Sequence, residues 1–183
     1  SINKPGWENE KRPFTFTSLT VDPFLEFTIK SYFDHNGVTN KLSALNEGDE
    51  LMIRDVWGAI EYKGPGCFIA GGAGVTPFIA ILRQLHKENK TGDNKLFFSN
   101  KTSEDIILKE EFKEMLGANF VNTLTRSKEY GYNYGQIDEY FLKKNIKDFS
   151  VHFYLCGPPL MIEALQTILE NAGASPESVV FEK

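Results

Sequence analysis

The sequence predicts a β half followed by an α/β half: a small antiparallel β-barrel, then a parallel sheet covered by helices. Three observations carry this expectation. The first third holds short segments rich in β-branched and aromatic residues, broken by turn signals. After Lys63-Gly-Pro-Gly66 the pattern changes, and short apolar runs alternate with helix-length runs. Such alternation is how strand–helix–strand units read, with apolar strands buried on both faces of a parallel sheet.

In the β half the strands are expected at Phe14-Thr-Phe-Thr-Ser18, Leu25 to Phe33 and Leu51 to Trp57. The second alternates, with Leu25, Phe27 and Ile29 on one face and Glu26, Thr28 and Lys30 on the other. Asp22-Pro23, Asn36-Gly37 and Glu47-Gly48-Asp49 punctuate them as turns. Asn40 to Leu45 reads as one helical turn. The α/β half opens with the strand Cys67–Ala70, a glycine-rich loop and a helix from Pro77 to Glu88. It continues with strand Lys95–Ser99, helix Ile106–Leu116, strand Phe120–Leu124 and helix Ile137–Lys144. Strand Val151–Leu155, helix Pro159–Ala172 and strand Ser178–Phe181 complete it. The boundary falls at residues 65/66, so 1–65 form one domain and 66–183 the other.

Composition narrows the function. Aromatics at 13%, with 15 Phe, supply a core and exclude intrinsic disorder. A net charge of −5 argues against a nucleic-acid-binding face, which needs a surplus of cations. Cys67 and Cys156 stand far apart, so no four-thiolate zinc or iron–sulfur site can be built, and no metal is expected. His35, His86 and His152 lack ligand spacing. Redox chemistry would therefore need an organic cofactor. The first twelve residues are charged and show no secretory segment, which with the low cysteine count fits a reducing, cytoplasmic setting. The uncharged stretch between Lys63 and Arg83 is long enough for a membrane span. Its glycines and prolines would break a spanning helix at several points.

Three motifs carry chemistry. Gly71-Gly-Ala-Gly-Val-Thr-Pro77 lies between a strand and a helix, where glycines allow close approach and free amides attract phosphate. It lacks the Gly-Lys-Ser/Thr of a phosphate-loop NTPase. The third glycine of the usual dinucleotide fingerprint falls on Pro77. A tight turn without a ligand would use the same residues. Tyr154-Leu-Cys-Gly-Pro-Pro159 puts a polarizable thiol at a strand's carboxyl end, where open α/β sheets bind ligands. A small buried hydrophobe is the other reading of Cys156. Arg12-Pro-Phe-Thr15 sets a cation and a ring on one face of a strand and a hydroxyl on the other. A solvated arginine at a strand start reads the same way.

In order and spacing, Arg12-x-Phe-Thr15, Gly37-Val-Thr39, Gly72-x-Gly-x-Thr-Pro77 and Cys156-Gly-Pro-Pro159 resemble the ferredoxin–NADP reductase family. The resemblance covers essentially the whole chain. It implies a Greek-key barrel that binds FAD, joined to an NAD(P)-binding α/β domain. Fewer strands can be counted here than in that family's barrel, so an N-terminal segment supplying the first strands is expected beyond this sequence.

The resemblance also implies residue roles. Arg12 would pair with the FAD pyrophosphate, Phe14 would lie on the isoalloxazine where the family usually has Tyr, and Thr15 would hydrogen-bond flavin N5. Backbone groups of Ile29, Lys30 and Ser31 would line the flavin, with Tyr32 near the rest of the cofactor. Gly37, Val38 and Thr39 would hold its pyrophosphate. Gly72, Gly74, Thr76 and Pro77 would take the NAD(P) pyrophosphate, with Thr76 toward the flavin boundary. Cys156, with Gly157 and Pro158, would sit beside nicotinamide C4. Phe181 and Glu182 match a region that places an aromatic over the flavin, though a plain last strand reads equally well. Thr125 and Arg126 follow the third α/β strand, where NADP-using relatives set residues against the 2′-phosphate. No acid precedes Glu129 there, which leans toward NADPH over NADH. A solvated basic turn is the competing reading.

The activity implied is hydride transfer from NAD(P)H to flavin N5, with electrons passed to flavodoxin, ferredoxin or free flavin. Two alternatives stand beside it. One is a nucleotide-binding subunit without turnover, the other an electron-transfer subunit of a larger enzyme. Lys4, Lys11, Lys143, Lys144 and Lys147 offer local basic patches for an acidic acceptor.

Overall fold

The structure is a computed structural model that describes residues 1–33, 36–55, 58 and 60–181. The chain divides into two compact units, Ser1–Gly58 and Ala59–Lys183.

In the second unit a six-stranded sheet runs in the order β4-β3-β2-β1-β5-β6, every pair parallel. Its strands are β1 (Gly66–Gly71), β2 (Lys95–Asn100), β3 (Phe120–Leu124), β4 (Asn133–Tyr134), β5 (His152–Cys156) and β6 (Val179–Phe181). Leu96 and Phe98 face one side with Phe68, and Phe97 faces the other with Cys67 and Ile69, as a period of two demands. The first side is covered by α2 (Thr76–Lys87) and α3 (Lys109–Leu116), the second by α4 (Glu139–Asn145) and α5 (Pro159–Asn171). Strand order therefore reverses between β1 and β5, and the helices that follow these two strands lie on opposite faces.

Local chemistry sets the element ends. Pro77 sits in the first turn of α2, where its missing N–H loses nothing. Asp138 caps α4 by accepting from the Phe141 N–H at 2.8 Å. The helix expected from Ile106 begins at Lys109 instead, because Leu108 adopts a left-handed conformation (φ 49°) that interrupts the spiral. The short β4 was not expected. With only two residues it carries no alternation to read.

Phe68 lies at the centre of the first face. It is fully buried, stacks on Tyr154 at 4.5 Å and meets Phe78 edge-on at 5.2 Å. The Tyr154 hydroxyl accepts from the Lys63 and Gly64 amides and donates to the Gly64 carbonyl. Asn94 accepts from the Gly66 amide at 2.9 Å. The segment entering β1 is thus fastened at the sheet's amino edge, opposite the edge where ligands bind.

The first unit differs from the expected barrel strands. Among the described residues its ladder pairing is limited to two isolated antiparallel bridges, Ile2–Leu51 and Phe16–Phe27. Around the first, the N-terminal ammonium donates to the Met52 carbonyl, and Lys4 pairs with Asp49 at 2.6 Å. Around the second, the Thr17 hydroxyl donates to Glu26 at 2.8 Å, and the Phe16 and Phe27 rings lie 4.8 Å apart. The segments Phe14–Ser18, Leu25–Phe33 and Leu51–Trp57 therefore do not form continuous ladders; Val56 and Trp57 lie outside the described residues. A ladder needs a neighbouring strand to pair its backbone and a packed layer to cover its apolar face. Here Phe24, Leu25, Phe33 and Ile53 stay exposed. The helical turn expected at Asn40–Leu45 is α1, Val38–Leu42.

Candidate functional site

The carboxyl edge of the sheet gathers the sequence-predicted residues of the second unit. After β1 the chain forms a 3-10 turn, Gly72–Val75, that runs directly into α2. Gly72 has φ +54° and open space where a side chain would stand, so the turn shows a bare backbone face. Gly74 is the reverse case. A Cβ there would lie 2.3 Å from the Cys156 carbonyl oxygen and 2.7 Å from the Gly157 nitrogen. The turn after β1 and the turn after β5 are therefore in backbone contact, at the point where the strand order reverses. The Thr76 hydroxyl donates to the Ala73 carbonyl at 3.0 Å, closing the turn rather than reaching outward.

The two cysteines separate cleanly. Cys67 is buried on β1, and burial pushes its thiol up to about 12, so it stays protonated at neutral pH. Cys156 ends β5, partly exposed, with Gly157 and Pro158 following. Ala70 pairs with Cys156 and Cys67 with Phe153, which sets the two thiols three residues apart along neighbouring strands.

After β3 the chain continues alongside the end of β2 as a short strap. Thr125 donates its amide and its hydroxyl to the Asn100 carbonyl (2.9 and 3.3 Å), and the Arg126 amide donates to the Lys101 carbonyl at 3.0 Å. The Arg126 side chain is exposed. Glu129 accepts from the Ser127 hydroxyl at 2.6 Å and the Ser103 amide at 3.4 Å. Hydrogen bonds from Ser103 and Ser127 hold its carboxyl below the usual range. The first acid after β3 is therefore tied into its own loop.

In the first unit a cleft of about 270 Å³ is lined by Arg12, Pro13, Phe14, Tyr32, Gly37, Val38 and Thr39. Six of these were singled out from sequence, from two segments that are 18 positions apart in the chain, Phe14 to Tyr32. The Tyr32 amide donates to the Thr39 hydroxyl at 3.4 Å. Arg12 is exposed and, among the described residues, is held by Glu10 at 3.6 Å and its neighbour's carbonyl, which leaves the guanidinium able to turn to an anion. Thr15, Ile29, Lys30 and Ser31 are half-buried and are not among the lining residues. Phe181 pairs with Leu155 across β5 and β6 and packs against the α4–α5 face. Glu182 lies outside the described residues.

Sequence reasoning missed Asn100, whose carboxamide is buried at the end of β2. Its one sequence signal is an amide residue closing a strand whose core is the apolar run Leu96-Phe-Phe98.

A doubly wound parallel sheet with two tight turns in contact at its switch point is the architecture of nucleotide-binding α/β proteins. Within that class the family model for the oxidoreductase NAD-binding domain matches residues 68–167, more than half of the chain. The chain belongs to this family.

Individual relatives agree. The reductase component of propane 2-monooxygenase from Rhodococcus jostii is 25% identical over 100% of this chain and 53% of its own length. Among solved structures, an Amycolatopsis cytochrome P450 reductase superposes with a TM-score of 0.78 at 22% identity, over 100% of this chain and 58% of that one. A ferredoxin NADP+ reductase from Neisseria gonorrhoeae with bound FAD and NADP gives 0.74 at 18% identity, over 93% and 78%. At such identities the structures speak to the fold. The chain spans about half the length of the first of these relatives. No helix among the described residues is long and apolar enough to cross a membrane.

Proposed function

We propose that this chain is the cofactor-binding part of an NAD(P)H-dependent flavoprotein reductase that delivers electrons to a separate acceptor. In this reading residues 1–65 hold FAD and residues 66–183 hold the nicotinamide dinucleotide. The observation that carries the reading is the backbone contact between Gly74 and Cys156 at the carboxyl edge of the sheet. One end of that contact offers an open glycine turn for a pyrophosphate. The other offers Cys156, small and partly exposed, as a floor for the nicotinamide ring.

The cleft of the first unit supports the flavin assignment. Arg12 supplies a forked cation, and Gly37, Val38 and Thr39 supply amides and a hydroxyl suited to phosphate oxygens. Phe14 and Tyr32 supply rings. Its volume suits a pyrophosphate and one flank of a ring system rather than a whole dinucleotide. FAD, when bound, accepts a hydride at N5 and releases electrons singly. Neither domain needs a strong acid or base for that step, only rings held in register. Flavodoxin, ferredoxin or free flavin are the acceptors this reading favours. A role as one component of a larger oxygenase is the second reading, favoured by the name of the Rhodococcus relative.

For the nicotinamide we favour NADPH. Arg126 is exposed beside the strap, and Glu129, the nearest following acid, is engaged by Ser103 and Ser127. Calorimetric titration with NADPH and NADH tests the reading. Arg126→Ala is expected to weaken NADPH about tenfold and to leave NADH within about twofold, the size of one charge-assisted contact. Preferred binding of NADH, unchanged in Arg126→Ala, refutes the NADPH assignment. Binding of neither refutes the dinucleotide site.

A further inference from the structure

Asn100 ends β2 with 4% of its surface exposed, and neither its Oδ1 nor its Nδ2 has a hydrogen-bond partner among the described residues. Its backbone is in contrast fully used, its carbonyl receiving both Thr125 donors. A buried amide group left unpaired is destabilising at each end. An apolar residue continuing Leu96 and Phe98 would avoid that penalty. The side chain sits where two loops converge. Strand alternation turns it to the face of Leu96 and Phe98, on which α2 packs, and β2 contacts the Gly72–Val75 turn leading into α2. The strap Thr125–Arg126 flanks the end of β2 on its other side, donating to the Asn100 and Lys101 carbonyls.

We propose that Asn100 is a dinucleotide-binding residue whose carboxamide pairs with the hydroxyls of a ribose seated between the Gly72–Val75 turn and the Thr125–Arg126 strap. The inference rests on reading this edge as the dinucleotide site. The chemistry selects the partner. A phosphate presents only acceptors and leaves Oδ1 unpaired, whereas a ribose diol presents a donor and an acceptor together, matching both ends of the amide. Pairing relieves in the complex what is unsatisfied in the free chain, so affinity and stability pull in opposite directions at this position.

Asn100→Leu and the smaller Asn100→Ala in the full chain, with thermal melts and calorimetric titration of NADPH, provide the test. Asn100→Leu is expected to weaken NADPH at least tenfold while the melting temperature holds or rises. Asn100→Ala gives the same loss of affinity if leucine overfills the site. Titrations with AMP and with nicotinamide mononucleotide then show which ribose is read, because the loss appears in one fragment and not the other. Wild-type affinity for NADPH in the folded variants overturns the inference and leaves the carboxamide to an internal water. A loss of affinity matched by a drop in melting temperature in both variants overturns it too, as a structural role. If the unaltered chain binds no dinucleotide, the functional reading itself fails.

Discussion

Replacing Gly74 by alanine is expected to abolish dinucleotide binding and to lower stability by about 3 kcal/mol. The added methyl would meet the carbonyl carbon and oxygen of Cys156 and the nitrogen of Gly157, all within 2.7 Å. These are backbone atoms at the end of a central strand, so they cannot rotate aside as a side chain tip can. Relief requires the turn after β1 to lift from the turn after β5, and the crevice opens where the nicotinamide would rest. Gly72→Ala is the informative control. Its Cβ meets nothing, and only the left-handed φ of +54° opposes it, which limits the loss to about 1 kcal/mol. Urea midpoints and NADPH titration of both variants measure the contrast. If Gly74→Ala is no worse than Gly72→Ala, the turns are not packed as described.

Phe68→Ala is expected to destabilise the second unit by about 4 kcal/mol. The ring is fully buried between the sheet and α2, in contact with Tyr154 and Phe78. Both neighbours are pinned, Tyr154 by its three hydrogen bonds to Lys63 and Gly64 and Phe78 by complete burial in α2. The hole therefore collapses little, which puts the loss at the upper end for a truncated aromatic. Phe24→Ala, at a ring 58% exposed in the first unit, should change stability by less than about 0.5 kcal/mol. A loss under about 2 kcal/mol for Phe68→Ala, read from denaturant unfolding, contradicts the rigid core described above.

The α/β unit was legible in the sequence because its signals are local. Cys67 to Ala70 is an uninterrupted apolar run, and Pro77 and the Pro158-Pro159 pair mark helix starts at the residues where helices begin or cap. The late start of α3 was not legible, since a left-handed Leu108 arises from tertiary packing and not from the residue's own preference. In the first unit, the alternation at Leu25, Phe27 and Ile29 yields a single bridge, at Phe27, because a ladder depends on partners that no local pattern names. Of the site, the glycines and the Cys-Gly-Pro-Pro turn were visible as motifs. The contact of Gly74 with Cys156 spans 82 positions and follows only from strand order. Asn100 escaped notice because its significance lies in what its side chain lacks, and a sequence does not show missing partners.

In the proposed function the chain passes a hydride from a nicotinamide to a flavin. Its most direct test is the absorption spectrum of the purified chain, reconstituted with FAD and titrated anaerobically with NADPH and NADH. The account predicts a yellow protein whose flavin band is bleached by about one equivalent of nicotinamide, with NADPH the more effective of the two. A protein that stays colourless after reconstitution, or whose bound flavin keeps its colour with both nicotinamides, would contradict it.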